Sequence, residues 1–263
     1  MERLLLFALS IFFGVFMNRF EHEAIVLKSA RSGENDRILT ALTLKAGKIS
    51  IMAKGAQSAK CKYLLSCQPF AFSQFVLALY PKNPLMPYAI SADLINPFRN
   101  LYSSVERQAS ACFATEAVDA VLEPEAVDSH VFMLLYHTLR LLCSMDASRA
   151  SLMALAFTLK LLAICGHAPE LGACLVCGAK LETYFINVDM GGILCARCAK
   201  GEGECIVSSL EAEYSYALMH MDMESLGEVY LVDEATQLKL LKVFCLFLPI
   251  QRQLRSLTSL LPE

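Results

Sequence analysis

No signature of a common enzyme class occurs in the 263 residues. The five histidines are His22, His130, His137, His167 and His220, and His22-Glu23 runs on into Ala-Ile-Val with no second His. A catalytic zinc of the HExxH type needs that second His one helical turn on, so this class is excluded. His130 and His137, seven apart, share one helical face and are expected on the surface of a bundle. No H-x-E precedes a P-C-x-x-C, which removes the zinc deaminases. Neither a GxxxxGKS/T phosphate loop nor a GxSxG nucleophile elbow is present. The chain reads as a non-enzyme.

Long apolar runs are also scarce. Leu4–Met17 (LLLFALSIFFGVFM) spans fourteen residues with one polar Ser10, and Asn18-Arg19 stop it. A bilayer-spanning helix needs about 20 apolar residues, so this run does not cross a membrane unaided. A signal peptide would suit the length, but Glu2 cancels Arg3 and no A-x-A-like site follows. A real structural extension is a third reading. Residues 1–17 are read as a false translation start or a dispensable apolar extension, with Met17 as the start. Charged residues make up only 19% beside 56% hydrophobic, which excludes a disordered chain.

Acidic residues are missing altogether between Asp36 and Asp93. The net charge of −3 therefore hides an asymmetry: residues 18–96 carry +5, and residues 97–263 carry −8. Halves of opposite sign indicate separate modules, and a small basic module is of the kind that meets phosphate.

What is present has two textures. Ala24–Lys28 is a short apolar run, followed by a turn at Ser32–Asp36. Arg37–Leu44 and Lys48–Lys54 flank Lys45-Ala46-Gly47 as a hairpin, with Ile38, Thr40, Leu42 and Leu44, then Ile49, Ile51 and Ala53, at alternate positions. Phe70–Tyr80, a Pro-rich turn and Tyr88–Ile95 complete five strands, which suit a small OB-type barrel over 18–96 better than a sandwich. From 97 to 170 the pattern is helical, with stretches at 99–122, 129–144 and 149–165. Leu152–Cys165, apolar nearly all round but only fourteen residues long, is a buried central helix. Residues 206–263 supply further helices, Ser208–Met221 and Asp233–Phe247, that complete the helical domain. The expected architecture is α+β and multidomain.

Between the two helical parts, at 171–205, lies C-x2-C-x17-C-x2-C: Cys174, Cys177, Cys195 and Cys198. Each C-x2-C turn presents two thiolates on one side, and two such knuckles make a tetrahedron around one zinc ion. Four thiolates leave no open coordination position, so a single structural Zn2+ is expected. Gly178 and Gly191-Gly192 stand where backbone amides could turn toward sulfur. Cys61, Cys67, Cys112, Cys143, Cys165, Cys205 and Cys245 lack paired spacing and read as small buried hydrophobes, Cys205 alone being close enough to serve as a spare ligand. The pattern indicates a reducing, cytoplasmic setting.

Arg37, Lys45, Lys48, Lys54, Lys60 and Lys62 form the expected nucleic-acid surface. Tyr63, Phe70 and Phe72 are their aromatic neighbours. Lysines neutralise phosphate while aromatic faces stack on bases; for Phe70 and Phe72 a place in the barrel core competes with that role.

EAIVLK at Glu23–Lys28, GEND at Gly33–Asp36, AKGA at Ala53–Ala56, QPF at Gln68–Phe70 and GACLVCG…GGILCARC resemble the RecO family of bacterial recombination mediators. The resemblance runs from Glu23 to the final helices. It implies an OB domain and a helical domain interrupted by a zinc finger. It also implies binding of single- and double-stranded DNA, strand annealing, and work with RecR and single-stranded-DNA-binding protein (SSB) to load RecA, without a membrane. An acidic SSB tail would need a cationic groove, for which Arg99, Arg107, Arg140, Arg149 and Lys160 are candidates. Gln57 and Ser58 stand where the family is usually basic, which lowers the expected intrinsic DNA affinity. An OB and zinc-ribbon RNA-binding module, or a zinc or dithiol enzyme, are the alternatives.

Overall fold

The computed structural model describes residues 18–80, 83–201, 203, 205–229, 232–250 and 254–260. The apolar segment 1–17 and the first residues of the Pro-rich turn lie outside them. The chain forms two compact units. One runs to Phe98 and includes Leu122–Ser129; the other comprises Arg99–Val121 and His130 onward.

In the first unit, β1 (Asn18–Ser32), β2 (Asp36–Thr43), β3 (Gly47–Ala53), β4 (Phe72–Tyr80) and β5 (Asn83–Asn96) close a barrel in the order β1-β2-β3-β5-β4. All neighbours are antiparallel except β3 and β5, which pair in parallel at Met52 and Tyr88. This is the five-stranded OB arrangement. The fifteen residues of β1 serve two partners: its first half pairs with β4, its second with β2, and the register shifts between Val26 and Lys28. Such an irregularity bends a strand and lets a small sheet close. Ala24, Val26, Leu39, Ala41, Ile51, Ala53, Phe75, Leu77 and Ala89 fill the interior.

In β3 the inward set is the expected Ile49, Ile51 and Ala53. In β2 it is Leu39 and Ala41, so Ile38, Thr40 and Leu42 point outward. The β2 sequence is apolar in both phases, and Leu42 is fully buried as well. Period-two alternation therefore does not choose its inner face.

Leu122–Ser129, which the sequence placed in the helical domain between the stretches 99–122 and 129–144, joins the barrel unit: the Lys48 carbonyl accepts the Glu125 amide at 2.9 Å, and Lys48 bridges to Pro124. This strap lies across Gly47, whose φ is +68°. A Cβ there would sit 2.3 Å from the Ala126 carbonyl oxygen. Gly47→Ala is expected to destabilise by about 2–4 kcal/mol, combining the left-handed backbone penalty with overpacking against main chain. Urea unfolding checks it; a loss below about 1 kcal/mol would show that the strap yields freely.

The second unit contains α1 (Val105–Val121), α2 (Ser129–Ser144), α3 (Ala150–Ile164), then β6 (Thr183–Asn187), β7 (Gly192–Leu194), α4 (Ala196–Ala199) and β8 (Cys205–Ser208). α5 (Ser209–His220), α6 (Glu234–Phe244) and a short α7 (Leu257–Leu260) follow. By length and composition alone, Ala147–Ile164 could cross a membrane. Instead α3 packs against α1, α5 and α6, with Leu152, Met153, Leu155, Phe157, Leu159 and Leu162 fully enclosed. Its polar groups are satisfied inside: Ser151 donates to Gln237 Oε1 at 2.6 Å, and Thr158 to the Ala154 carbonyl at 2.8 Å. Ser208 and Glu211 form a reciprocal cap at the start of α5, which fixes where the sheet ends and the helix begins.

Candidate metal centre and nucleic-acid interface

The first cysteine pair sits on a tight turn in which the Gly178 amide donates to the Cys174 carbonyl at 2.8 Å. The Leu175 amide bonds the Ile193 carbonyl at 3.0 Å, which ties this knuckle to β7. In the second pair Cys195 is the N-cap of α4 and Cys198 lies within it, the Ala199 amide closing on the Cys195 carbonyl at 2.9 Å. β7, β6 and β8 form the sheet beneath, and Phe185 and Leu194, in register with each other, pack on the sulfurs.

All four Sγ atoms lie within 4.8 Å of one another, Cys177 and Cys195 at 3.7 Å. Four metal–sulfur bonds of about 2.3 Å in a tetrahedron imply sulfur–sulfur edges of about 3.8 Å, so the set fits one ion. Burial works against the Cys174 thiolate. The amides of Cys195, Cys177 and Val176 outweigh that and bring the thiol down to about 6. The Cys198 amide likewise lowers Cys195, while the sulfurs of Cys195 and Cys177 push Cys198 up to about 12. The amides aimed at sulfur thus belong to the knuckles themselves. Gly191 donates instead to the Val188 carbonyl, and Gly192 lets β7 pass the Glu170 carbonyl, which a Cβ would meet at 2.4 Å. Cys205 stands apart on β8, its thiol on the Ile206 carbonyl. Burial raises the thiols of Cys67, Cys112, Cys143 and Cys245, as suits hydrophobic fillers.

The barrel sorts the six expected DNA contacts. On the outward face of β3 stand Lys48, Ser50 and Met52, and Lys54 follows directly. Lys48 and Lys54 are therefore separated by six residues of extended chain, about 20 Å. Lys45, exposed in the β2–β3 turn, belongs with Lys48; the exposed Lys60 and Lys62 follow Lys54 in the loop. Arg37 falls in the inward phase of β2. It is half-buried at the barrel end, and its Nη1 donates to Ser29 Oγ at 2.9 Å. That commitment separates it from the exposed Lys45, Lys54, Lys60 and Lys62.

The loop carrying these lysines is held by the GEND turn. Asp36 Oδ1 accepts the Gly55 amide at 2.8 Å, and Gln57 Nε2 donates to the Asp36 carbonyl at 2.8 Å. Gln57, at a position where a basic residue was expected, is an anchor.

Phe70 and Phe72 are buried, which answers their competing readings in favour of core. Tyr63 is pinned, its hydroxyl donating to the Lys54 carbonyl at 3.0 Å, and burial, followed by Cys61, raises its phenol to about 12. The aromatic group beside the lysines is instead Tyr88 of β5, with Lys54 Nζ 4.8 Å from its ring centroid. Tyr80 meets Tyr88 edge-on at 4.9 Å. The pairing of β3 with β5 delivers Tyr88 there, and local sequence carried no signal for it.

In the helical unit, four of the five candidate cations are internally engaged. Arg107 donates to Ser103 Oγ and the Met145 carbonyl. Arg140 pairs with Glu224, which also lies 3.2 Å from His137. Arg149 donates to the Leu226 carbonyl, and Lys160 to those of Met219 and Met221. Arg99 is exposed.

A closed OB-type barrel with a lysine-edged outer face, followed in the chain by helices interrupted by a four-cysteine cluster able to hold a metal ion, defines a multidomain α+β protein. Family comparison agrees with that class in both units. The description Recombination protein O N terminal matches residues 17–98, and Recombination protein O C terminal matches 102–257. The DNA repair protein RecO of Alkaliphilus metalliredigens is 32% identical over 213 residues, 79% of this chain and 83% of the relative. That of Desulforamulus reducens is 32% identical over 188 residues, 71% of each chain. The chain belongs to the RecO family of DNA repair proteins.

Proposed function

We propose that the chain is a non-catalytic recombination mediator. It binds single- and double-stranded DNA on the outer face of the barrel, anneals complementary strands, and acts in the cytoplasm with RecR on SSB-coated DNA to help load RecA. The observation that carries this reading is the β3 strip: Lys48 near one end, Lys54 at the other, and exposed Lys60 and Lys62 just beyond. Two DNA backbones repel each other, and ammonium groups that screen phosphate lower that repulsion so that pairing can nucleate. The metal at the four thiolates is Zn2+, in a structural role. Arg99 is the best-placed cation for the acidic tail of SSB, because the other candidates serve internal carbonyls and carboxylates.

About four phosphate contacts give a log–log salt slope near −3 for single strands. Lys54→Ala with Lys60→Ala should weaken binding equally across sequences and reduce that slope by about 1.4. Fluorescence anisotropy over a salt series measures both. A wild-type slope near zero would remove the barrel strip from consideration, and preferential binding of RNA in competition would favour an RNA-binding module.

A further inference from the structure

The outer face of the barrel has an apolar row as well as lysines. Cross-strand register aligns Ala30 of β1 with Ile38, Ile38 with Met52, and Met52 with Tyr88. Ile38, Met52 and Tyr88 are each partly exposed, and the neighbouring row is the polar Lys28, Thr40 and Ser50. In a closed barrel whose interior is already filled, these outward side chains add nothing to that core. Tyr88 is held from several sides. Tyr80 stands edge-on to its ring, and Tyr63, through the Lys54 carbonyl, fixes the backbone from which Lys54 reaches over it. The result is a braced aromatic ring beside a solvent-exposed cation, on a face bordered by further lysines.

We infer that Tyr88 is a stacking platform for an unpaired base of single-stranded DNA, with Lys54 leaving the ring for the adjoining phosphate. This rests on the barrel face being the DNA surface proposed above, and deepens it by naming the residue that tells single from double strands. The exchange is favourable in magnitude. A surface cation–π contact is worth about a two- to fivefold factor, whereas a base stacked on an aromatic ring is worth about five- to hundredfold. The face of a base is free only when it is unpaired, so Tyr88 contributes to single strands and not to duplex. Met52 and Ile38 extend the apolar floor along the register row.

The absence of tryptophan from the chain makes the test direct. Tyr88→Trp introduces the sole indole, and its emission should be quenched on titration with oligo(dT) and remain unchanged with a blunt duplex of equal length. In anisotropy at fixed salt, Tyr88→Ala should lose about tenfold in oligo(dT) affinity, with an unchanged salt slope and duplex affinity within twofold. Tyr88→Phe should bind as the parent does. Tyr88→Leu, which keeps apolar bulk without a π face, should behave as Tyr88→Ala and covers the case in which alanine disturbs the barrel. Equal losses for single strands and duplex, or full single-strand affinity in Tyr88→Leu, would overturn the stacking role. If the Lys54→Ala, Lys60→Ala pair still weakens binding, that failure belongs to Tyr88 alone. If the lysine pair has no effect either, the DNA surface itself has been misplaced.

Discussion

Replacing Cys195 with serine is expected to abolish stoichiometric metal binding and to unfold the sheet built around the four sulfurs. Cys195 is fully buried, caps α4, and shares a small cluster with Cys174, Leu194 and Ala199. That cluster is small, and although the three short strands also bury Tyr184, Ile186, Ile193 and Val207, a bound metal is expected to supply a large share of the folding free energy of the finger. Structural zinc binds finger peptides with an apparent 10–16 kcal/mol, roughly, and losing one of four thiolates forfeits much of that. Elemental analysis should fall from one zinc per chain to a small fraction of that. Amide exchange should accelerate across Thr183–Ser208 while β1 to β5 keep their protection. Cys205→Ser, which alters a thiol outside the set, should retain the metal. A Cys195→Ser protein with full zinc and unchanged exchange would refute the structural assignment. DNA affinity should change far less than stability, because the lysine strip lies in the other unit.

The second large effect belongs to α3. Phe157 is wholly enclosed on a helix whose side chains are buried in every direction, so Phe157→Ala leaves a cavity with no solvent side to collapse from. The expected cost is about 3–5 kcal/mol, transfer and cavity contributions together. For a unit of this size that corresponds to a fall in Tm of roughly 10 °C. Calorimetry measures it, with Val105→Ala as the contrast, since Val105 is 77% exposed and its loss should be close to neutral. A drop of only a degree or two would mean that the helices repack around the void.

Those two sites were legible in the sequence for the same reason: each admits a single physical solution. Four thiolates in paired C-x2-C turns have few uses other than a closed metal cage, and a fourteen-residue segment apolar all round must be enclosed. The five strands and the barrel were legible through alternation and turn residues, although β1 extends well past Ala24–Lys28 because it pairs on both edges. Where sequence reasoning fell short, the deciding contact is distant in the chain. Leu39 and Ala41 rather than Ile38 and Thr40 face inward because of closure, and β2 is apolar in both phases. Tyr88 reaches Lys54 only through the parallel β3–β5 pairing, which no local pattern encodes. Arg107, Arg149 and Lys160 look like free cations in sequence, but long side chains can reach main-chain carbonyls 38 to 77 positions away. Pro124, two residues past the end of a helical pattern, marks a helix stop equally well whether the chain next enters a linker or lies down on a barrel.

That last feature bears on how the molecule can be dissected. Because residues 122–129 return to lie over Gly47, the first unit is not one contiguous stretch of polypeptide. An expression fragment cut after Phe98 would contain all five strands and still omit part of its own unit, leaving the glycine turn bare and the Lys48 carbonyl without its Glu125 donor. A faithful excision would carry the eight-residue return segment back to the barrel on a designed linker. The same detour means that the loop joining α1 to α2 belongs to the barrel unit, so insertions there will be felt by β3, the strand bearing Lys48.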